Sequence, residues 1–178
     1  MLFRSRLLCG TMAYHRSTGS ARLYRVDSDG TVDVVFPEVT ISNGIDFSPD
    51  GRLAYYNDTP TSRTDVFDVV DGELTNGRAF QSGDKGSPDG LTVDSAGNVW
   101  VALNGAGRVR CYSPQAVVLA EVELPVRLAT ACTLGGDDLR TLFITTSREN
   151  LDDPEPEAGA LFAVRVDVPG QPVRVFAG

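Results

Sequence analysis

A single histidine, His15, stands in a chain of 178 residues, and its three cysteines, Cys9, Cys111 and Cys132, show no CxxC spacing. One histidine excludes a His-rich zinc site and the HExxH device. Any Ser-His-Asp or Cys-His arrangement would have to use His15, which sits in the polar segment YHRSTGS, read as a hairpin loop. Each cysteine lies among apolar or small residues and reads as a buried free thiol of a reduced compartment. No run of Lys or Arg offsets the formal charge of −8, which argues against a nucleic-acid partner. No stretch approaches the roughly 20 apolar residues of a membrane span. The opening MLFRSRLLCGTMA has an apolar core of only Leu7-Leu8-Cys9 behind two arginines, too little for a signal peptide. The expectation is a soluble, cytoplasmic protein without a membrane partner.

Turn formers are plentiful instead. Glycine (18) and proline (10) are spread along the whole chain, which implies many short elements in one domain with a sizeable core. The tetrapeptide SPDG occurs twice, at 48–51 and 87–90. Sliding the chain by 46 positions sets Asn43-Gly44 against Asp89-Gly90, Ile45 against Leu91, Phe47 against Val93 and Leu53 against Val99. In that register Asp50 meets Ala96, not Asp89. Asp50 is therefore read as a β-turn residue, with DSAG at 94–97 doing the same work one repeat later. Asp89 takes the place of Asn43 at the mouth of a strand and needs another explanation.

The pattern continues in both directions. Third strands are expected at 21–26, 64–70, 108–112 and 160–166, with weaker fourth strands in TVDVVF, GRAFQ, VVLAEVEL and PVRVFA. Four short antiparallel strands in about 45 residues are the unit of a β-propeller. The expected fold is all-β, an incomplete propeller arc of about four blades: 1–41 (lacking its leading strand), 42–86, 87–129 and 130–178. Trp100 is expected between blades. An open arc exposes a strand edge and apolar blade faces, so self-association or a partner is expected.

The ordered segments SNGIDFSPDGRLAYYNDT, SPDGLTVDSAGNVWVALNGAGRV and LATACTLGGDDLRTLFITTS closely resemble the SMP-30/gluconolactonase/regucalcin family. The resemblance implies a six-bladed propeller that hydrolyses sugar lactones with one divalent metal in its central channel. It implies that this chain corresponds to the C-terminal part of such a ring, beginning within the third blade. Carried over by motif, the Asn of SNG is a metal ligand, here Asn43, and the Asp of PDG is both ligand and general base, here Asp89. The family's Glu ligand near the first blade and its RxNDG segment have no counterpart, and Tyr14-His15 stand where many members carry a substrate-contacting Glu.

The repeat agrees with this transfer at the two positions it covers. Asn43 and Asp89 precede inner strands of adjacent blades, which would point both side chains into one end of the channel. Oxygen donors suit a hard cation, with Ca²⁺ favoured and Mg²⁺ or Zn²⁺ as alternatives. Asn-Gly and Asp-Gly also make simple turns. Asn57-Asp58 and Asn104 are read as rim or loop residues, Asn104-Gly105 as a hairpin turn and Arg108 as a strand start. The run DDPEPE at 152–157 is read as a solvated loop. The function expected is metal-dependent opening of a sugar lactone. The alternatives are an inactive or fragmentary family member and a calcium-binding propeller module without turnover.

Overall fold

Alternating apolar residues bounded by turn formers produce fifteen strands in a computed structural model that describes residues 2–3 and 6–176. They form four antiparallel meanders. The first contains β1 (Leu2–Phe3), β2 (Arg6–Gly10), β3 (Ala21–Val26) and β4 (Val32–Val39). The second contains β5 (Ser42–Phe47), β6 (Leu53–Asp58), β7 (Arg63–Val70) and β8 (Glu73–Ser82). The third contains β9 (Ser87–Val93), β10 (Val99–Asn104), β11 (Arg108–Tyr112) and β12 (Val118–Glu123). The fourth has three strands, β13 (Ala129–Gly135), β14 (Thr141–Thr146) and β15 (Leu161–Arg165). Among the described residues no helix is long and apolar enough to cross a membrane.

Three details depart from the sequence pattern. The first sheet has a two-residue leading strand, β1, with Leu2 opposite Leu7, where the pattern shows none. The expected last strand, PVRVFA, is not a strand over residues 172–176. Pro169 and Pro172 have no N–H to give a ladder, and the segment instead crosses the inner strands. There Gln171 Nε2 donates to Phe47 O (2.8 Å) and Val93 O (3.0 Å), and the Arg174 guanidinium lies 5.3 Å from the Phe47 ring centre. Cys9 is exposed rather than buried, while Cys111 and Cys132 are buried as expected. Strand side chains alternate between faces: Leu8 enters the core, and its neighbour Cys9 takes the opposite face of the first sheet.

The cores lie between sheets. Leu8, Leu23 and Val39 meet Phe47, Ala54 and Tyr56 from the second sheet. Tyr55, on the other face of β6, meets Val93, Val99, Val101 and Leu103 from the third. Trp100 and Ala102, on the opposite face of β10, meet Ala129, Leu142 and Ile144 from the fourth. Each middle blade is thus apolar on both faces. Full burial of one such side chain is worth about 1.5–3 kcal/mol.

The inner strand β9 lies between β5 and β13. At one end the buried Asp46 carboxylate ties β5 to β9, accepting the N–H groups of Phe47 (2.7 Å) and Val93 (2.8 Å) and the Thr92 hydroxyl (3.2 Å). At the other end glycine brings the backbones together. A Cβ on Gly44 would lie 2.5 Å from Leu91 N and 2.7 Å from Asp89 O, and one on Gly90 would lie 2.6 Å from Ala131 Cα. Backbone atoms cannot swing aside as side-chain ends can. Gly44→Ala and Gly90→Ala should each destabilise the fold by about 2–3 kcal/mol in urea unfolding; an unchanged midpoint would contradict the close approach.

Candidate metal and catalytic cleft

Three inner strands, β5, β9 and β13, each carry one extra residue at the same height. In β5, Asn43-Gly44 lie opposite the single residue Asn57, between the pairs Ser42–Asp58 and Ile45–Tyr56. In β9, Asp89-Gly90 lie opposite Ala102, between Pro88–Leu103 and Leu91–Val101. In β13, Thr130 is the extra residue between Ala129–Thr146 and Ala131–Thr145. A bulge interrupts the alternation and re-aims the side chain it carries. Here three successive bulges turn Asn43, Asp89 and Thr130 into one cleft.

That cleft has a volume of about 420 Å³, with Asn43, Thr59, Asp89, Asn104 and Thr130 among its lining. Asn104 Nδ2 donates to Asp89 Oδ2 at 3.0 Å, and Asn43 Nδ2 donates to the Thr59 hydroxyl at 3.0 Å. Behind the carboxylate, the fully buried Asn57 donates from Nδ2 to the Asp89 carbonyl at 2.7 Å. At the rim Arg16 and Glu149 form an ion pair at 3.0 Å, joining a loop of the first sheet to one of the fourth.

Burial pushes the Asp89 carboxyl up to about 6, against the pull of hydrogen bonds from Asn104, Asn43 and the Gly90 N–H. The groups that lower it are neutral, so the carboxylate is desolvated without a compensating positive charge among them. A bound cation would supply that charge. Carboxylate, amide and hydroxyl oxygens are the donors of a hard ion, and rotating either amide exchanges its N–H for an oxygen at the same point. Among the described residues no three His, Cys, Asp or Glu side chains cluster as a metal cage. The residues therefore fit a hard divalent ion held by one carboxylate and neutral oxygens, the rest of its shell being water or ligand.

The structure brings Asn43 and Asp89 into the same cleft, as the repeat requires. Asp50, by contrast, closes a turn: its Oδ1 accepts Ser48 Oγ–H at 2.7 Å and Arg52 N–H at 3.1 Å. The second SPDG lies inside β9 and makes no such turn. His15 is exposed in a turn at 13–16 and lies outside the cleft lining. Asn104, read from sequence as a turn residue, is also the partner of Asp89. Asn57, read from sequence as a rim or loop residue, is instead buried within β6 behind the cleft. Thr59, Thr130 and Glu149 went unassigned, because each reaches the cleft from a strand or loop paired elsewhere. The acidic run is anchored rather than free, with Glu155 2.8 Å from the Arg127 guanidinium.

A family model described as SMP-30/Gluconolactonase/LRE-like region matches residues 4–148. The chain is 41% identical over 181 residues to a 6-deoxy-6-sulfogluconolactonase of Pseudomonas putida, covering 97% of this chain and 62% of that protein. It is 35% identical over 190 residues to regucalcin of Sus scrofa, covering 97% and 63% respectively. A solved regucalcin of Agrobacterium tumefaciens, described as a calcium-binding protein, superposes with a TM-score of 0.87 at 32% identity, covering 94% of this chain and 59% of that one. The chain thus spans about three-fifths of the length of these relatives. With the repeat and sheet order in agreement with that match, the chain belongs to the SMP-30/gluconolactonase/regucalcin family.

Proposed function

We propose that the Asp89 cleft opens sugar lactones by adding water to the lactone carbonyl, with a divalent cation held by Asp89, Asn43 and Asn104. The observation that carries this reading is a desolvated carboxylate, Asp89, flanked by two amides in a cleft of a lactonase-family chain that no histidine or cysteine lines. Ca²⁺ is favoured because no histidine or cysteine lines the cleft. The relative described as a calcium-binding protein supports the same choice.

When bound, the cation supplies Lewis-acid polarisation of the carbonyl oxygen. The rest falls to the chain. Without the cation the Asp89 carboxyl is raised to about 6 by burial and is ionised at neutral pH, and a bound cation holds it in that ionised form. Asp89 takes a proton from the attacking water as its oxygen bonds to the carbonyl carbon. The carbon–oxygen bond of the ring then breaks, and the proton held on Asp89 passes to the departing ring oxygen, leaving a hydroxy acid. Asn104 fixes the Asp89 rotamer through Oδ2, and Asn43 bridges the carboxylate to Thr59. The Arg16–Glu149 pair gives the rim polar groups suited to sugar hydroxyls. A second reading, cation binding without turnover, draws on the same calcium-binding relative.

Three outcomes follow. Asp89→Asn should lower Ca²⁺-dependent opening of gluconolactone about 10²–10⁴-fold, whereas calorimetric Ca²⁺ binding by the wild-type chain without turnover would favour the second reading. Asn43→Ala should raise the Ca²⁺ concentration needed for half-maximal rate, read from a metal titration of the same assay.

The third concerns stability. Because the folded Asp89 carboxyl holds its proton up to about 6, against an ordinary 3.8, the folded state binds more protons than the unfolded between those values. Its contribution is favourable below about pH 4 and is lost as pH rises through 6. Metal-free Asp89→Asn should therefore unfold later than wild type at pH 7, by on the order of 1 kcal/mol after allowance for partial exposure. The difference should vanish near pH 4; equal stability at both pH values would contradict it.

A further inference from the structure

The bulge that aims Asp89 leaves a problem that its own blade does not solve. Between Leu91–Val101 and Pro88–Leu103, Asp89 and Gly90 face only Ala102, so the Asp89 carbonyl stands outside the regular ladder. The donor comes from the neighbouring blade. Asn57, wholly buried at the end of β6 and opposite the corresponding bulge of β5, reaches across with Nδ2 to the Asp89 carbonyl at 2.7 Å. Gly44 makes the reach short enough, because any side chain there would collide with that same carbonyl.

The polarity of this position runs against packing. Asn57 pairs across the ladder with Thr64, also fully buried, yet Asn57 Oδ1 and Thr64 Oγ1 have no hydrogen-bond partner among the described residues. Burying an amide half-satisfied is unfavourable, and an apolar side chain of the same branched shape, such as leucine, would not carry that cost. The bond that the asparagine does make goes to one place, the main chain of Asp89. Resting on the lactonase reading above, we infer that Asn57 is a positioning residue: it anchors the bulged backbone of Asp89 from the adjacent blade and so fixes where the carboxylate sits in the cleft.

A shift of about 1 Å in a reacting group costs on the order of 10²-fold in rate. Asn57→Leu should therefore lower kcat for gluconolactone about ten- to a hundred-fold at saturating Ca²⁺ and leave KM within about three-fold. It should also move the carbonyl ¹³C resonance of selectively labelled Asp89. Thr64→Val, which alters the neighbouring buried position without touching Asp89, should do neither. If Asn57→Leu fails to fold, Asn57→Ser, too short to reach the carbonyl, carries the same readouts.

A folded Asn57 variant with wild-type kcat overturns the inference, and so does an equal loss in Thr64→Val, which would assign the effect to packing. Loss of activity in Asp89→Asn beside full activity in the Asn57 variant leaves the lactonase reading standing and removes only the positioning role. Should the wild-type chain show no turnover, the resonance and the Ca²⁺ affinity decide. A shifted resonance with weakened Ca²⁺ binding supports the anchor, and an unmoved resonance or unchanged affinity refutes it.

Discussion

The main chain of Asp89 lies against Gly44 so closely that no side chain fits between them, and the geometry of the cleft depends on that approach. It brings the bulge of one inner strand beside the bulge of the next, placing an amide and a carboxylate from different blades in one cleft. It also brings the Asp89 carbonyl within reach of Asn57. Neither blade alone contains the site. The Asp89 carboxylate belongs to the third sheet, and its backbone support to the second.

The rest of the structure holds this contact by means of different strength. Three apolar layers between successive sheets supply the bulk of the burial, and each middle blade is apolar on both faces for that reason. The two ends of the inner strands are treated differently. Asp46, at the far end, accepts two main-chain N–H groups and a hydroxyl from β5 and β9, and it serves as a clamp. Asp89, at the cleft, has neutral amides and open space before it, and remains available for a cation or a proton. Charge pairs along the outer strands add cross-links: Arg25 meets Asp27, Asp33 and Glu73, the last from the next sheet, and Arg110 meets Asp84 and Glu121. Most have an exposed partner, and such pairs contribute little each.

Much of this could be read from the chain because a propeller repeats itself. The register that set Asn43 on Asp89, and Asp50 on Ala96, separated the two SPDG copies before any coordinates: one closes a turn, the other sits in β9. Trp100, expected between blades, packs there against the fourth sheet. The bulges were not legible, because an extra residue in one strand is defined only against its partner's register. Asn104 was hidden by its own turn chemistry, since Asn-Gly satisfies a local rule whether or not its side chain has a second task. Asn57 and Glu149 act across blades, over sequence distances that no local pattern encodes. The tail PVRVFA looked like a strand because its valines alternate, but proline breaks the ladder, and Gln171 holds the segment across the inner strands by donating to the carbonyls of Phe47 and Val93.

The central claim is that one cation binds between the bulges of β5 and β9. Crystals grown with Ca²⁺, with its anomalous signal recorded at long wavelength, test it most directly. The account predicts a single peak within ligand distance of an Asp89 carboxylate oxygen and the side-chain oxygen of Asn43. A cleft without a peak at saturating Ca²⁺, or an ion bound elsewhere with the Asn104–Asp89 bond intact, would contradict it.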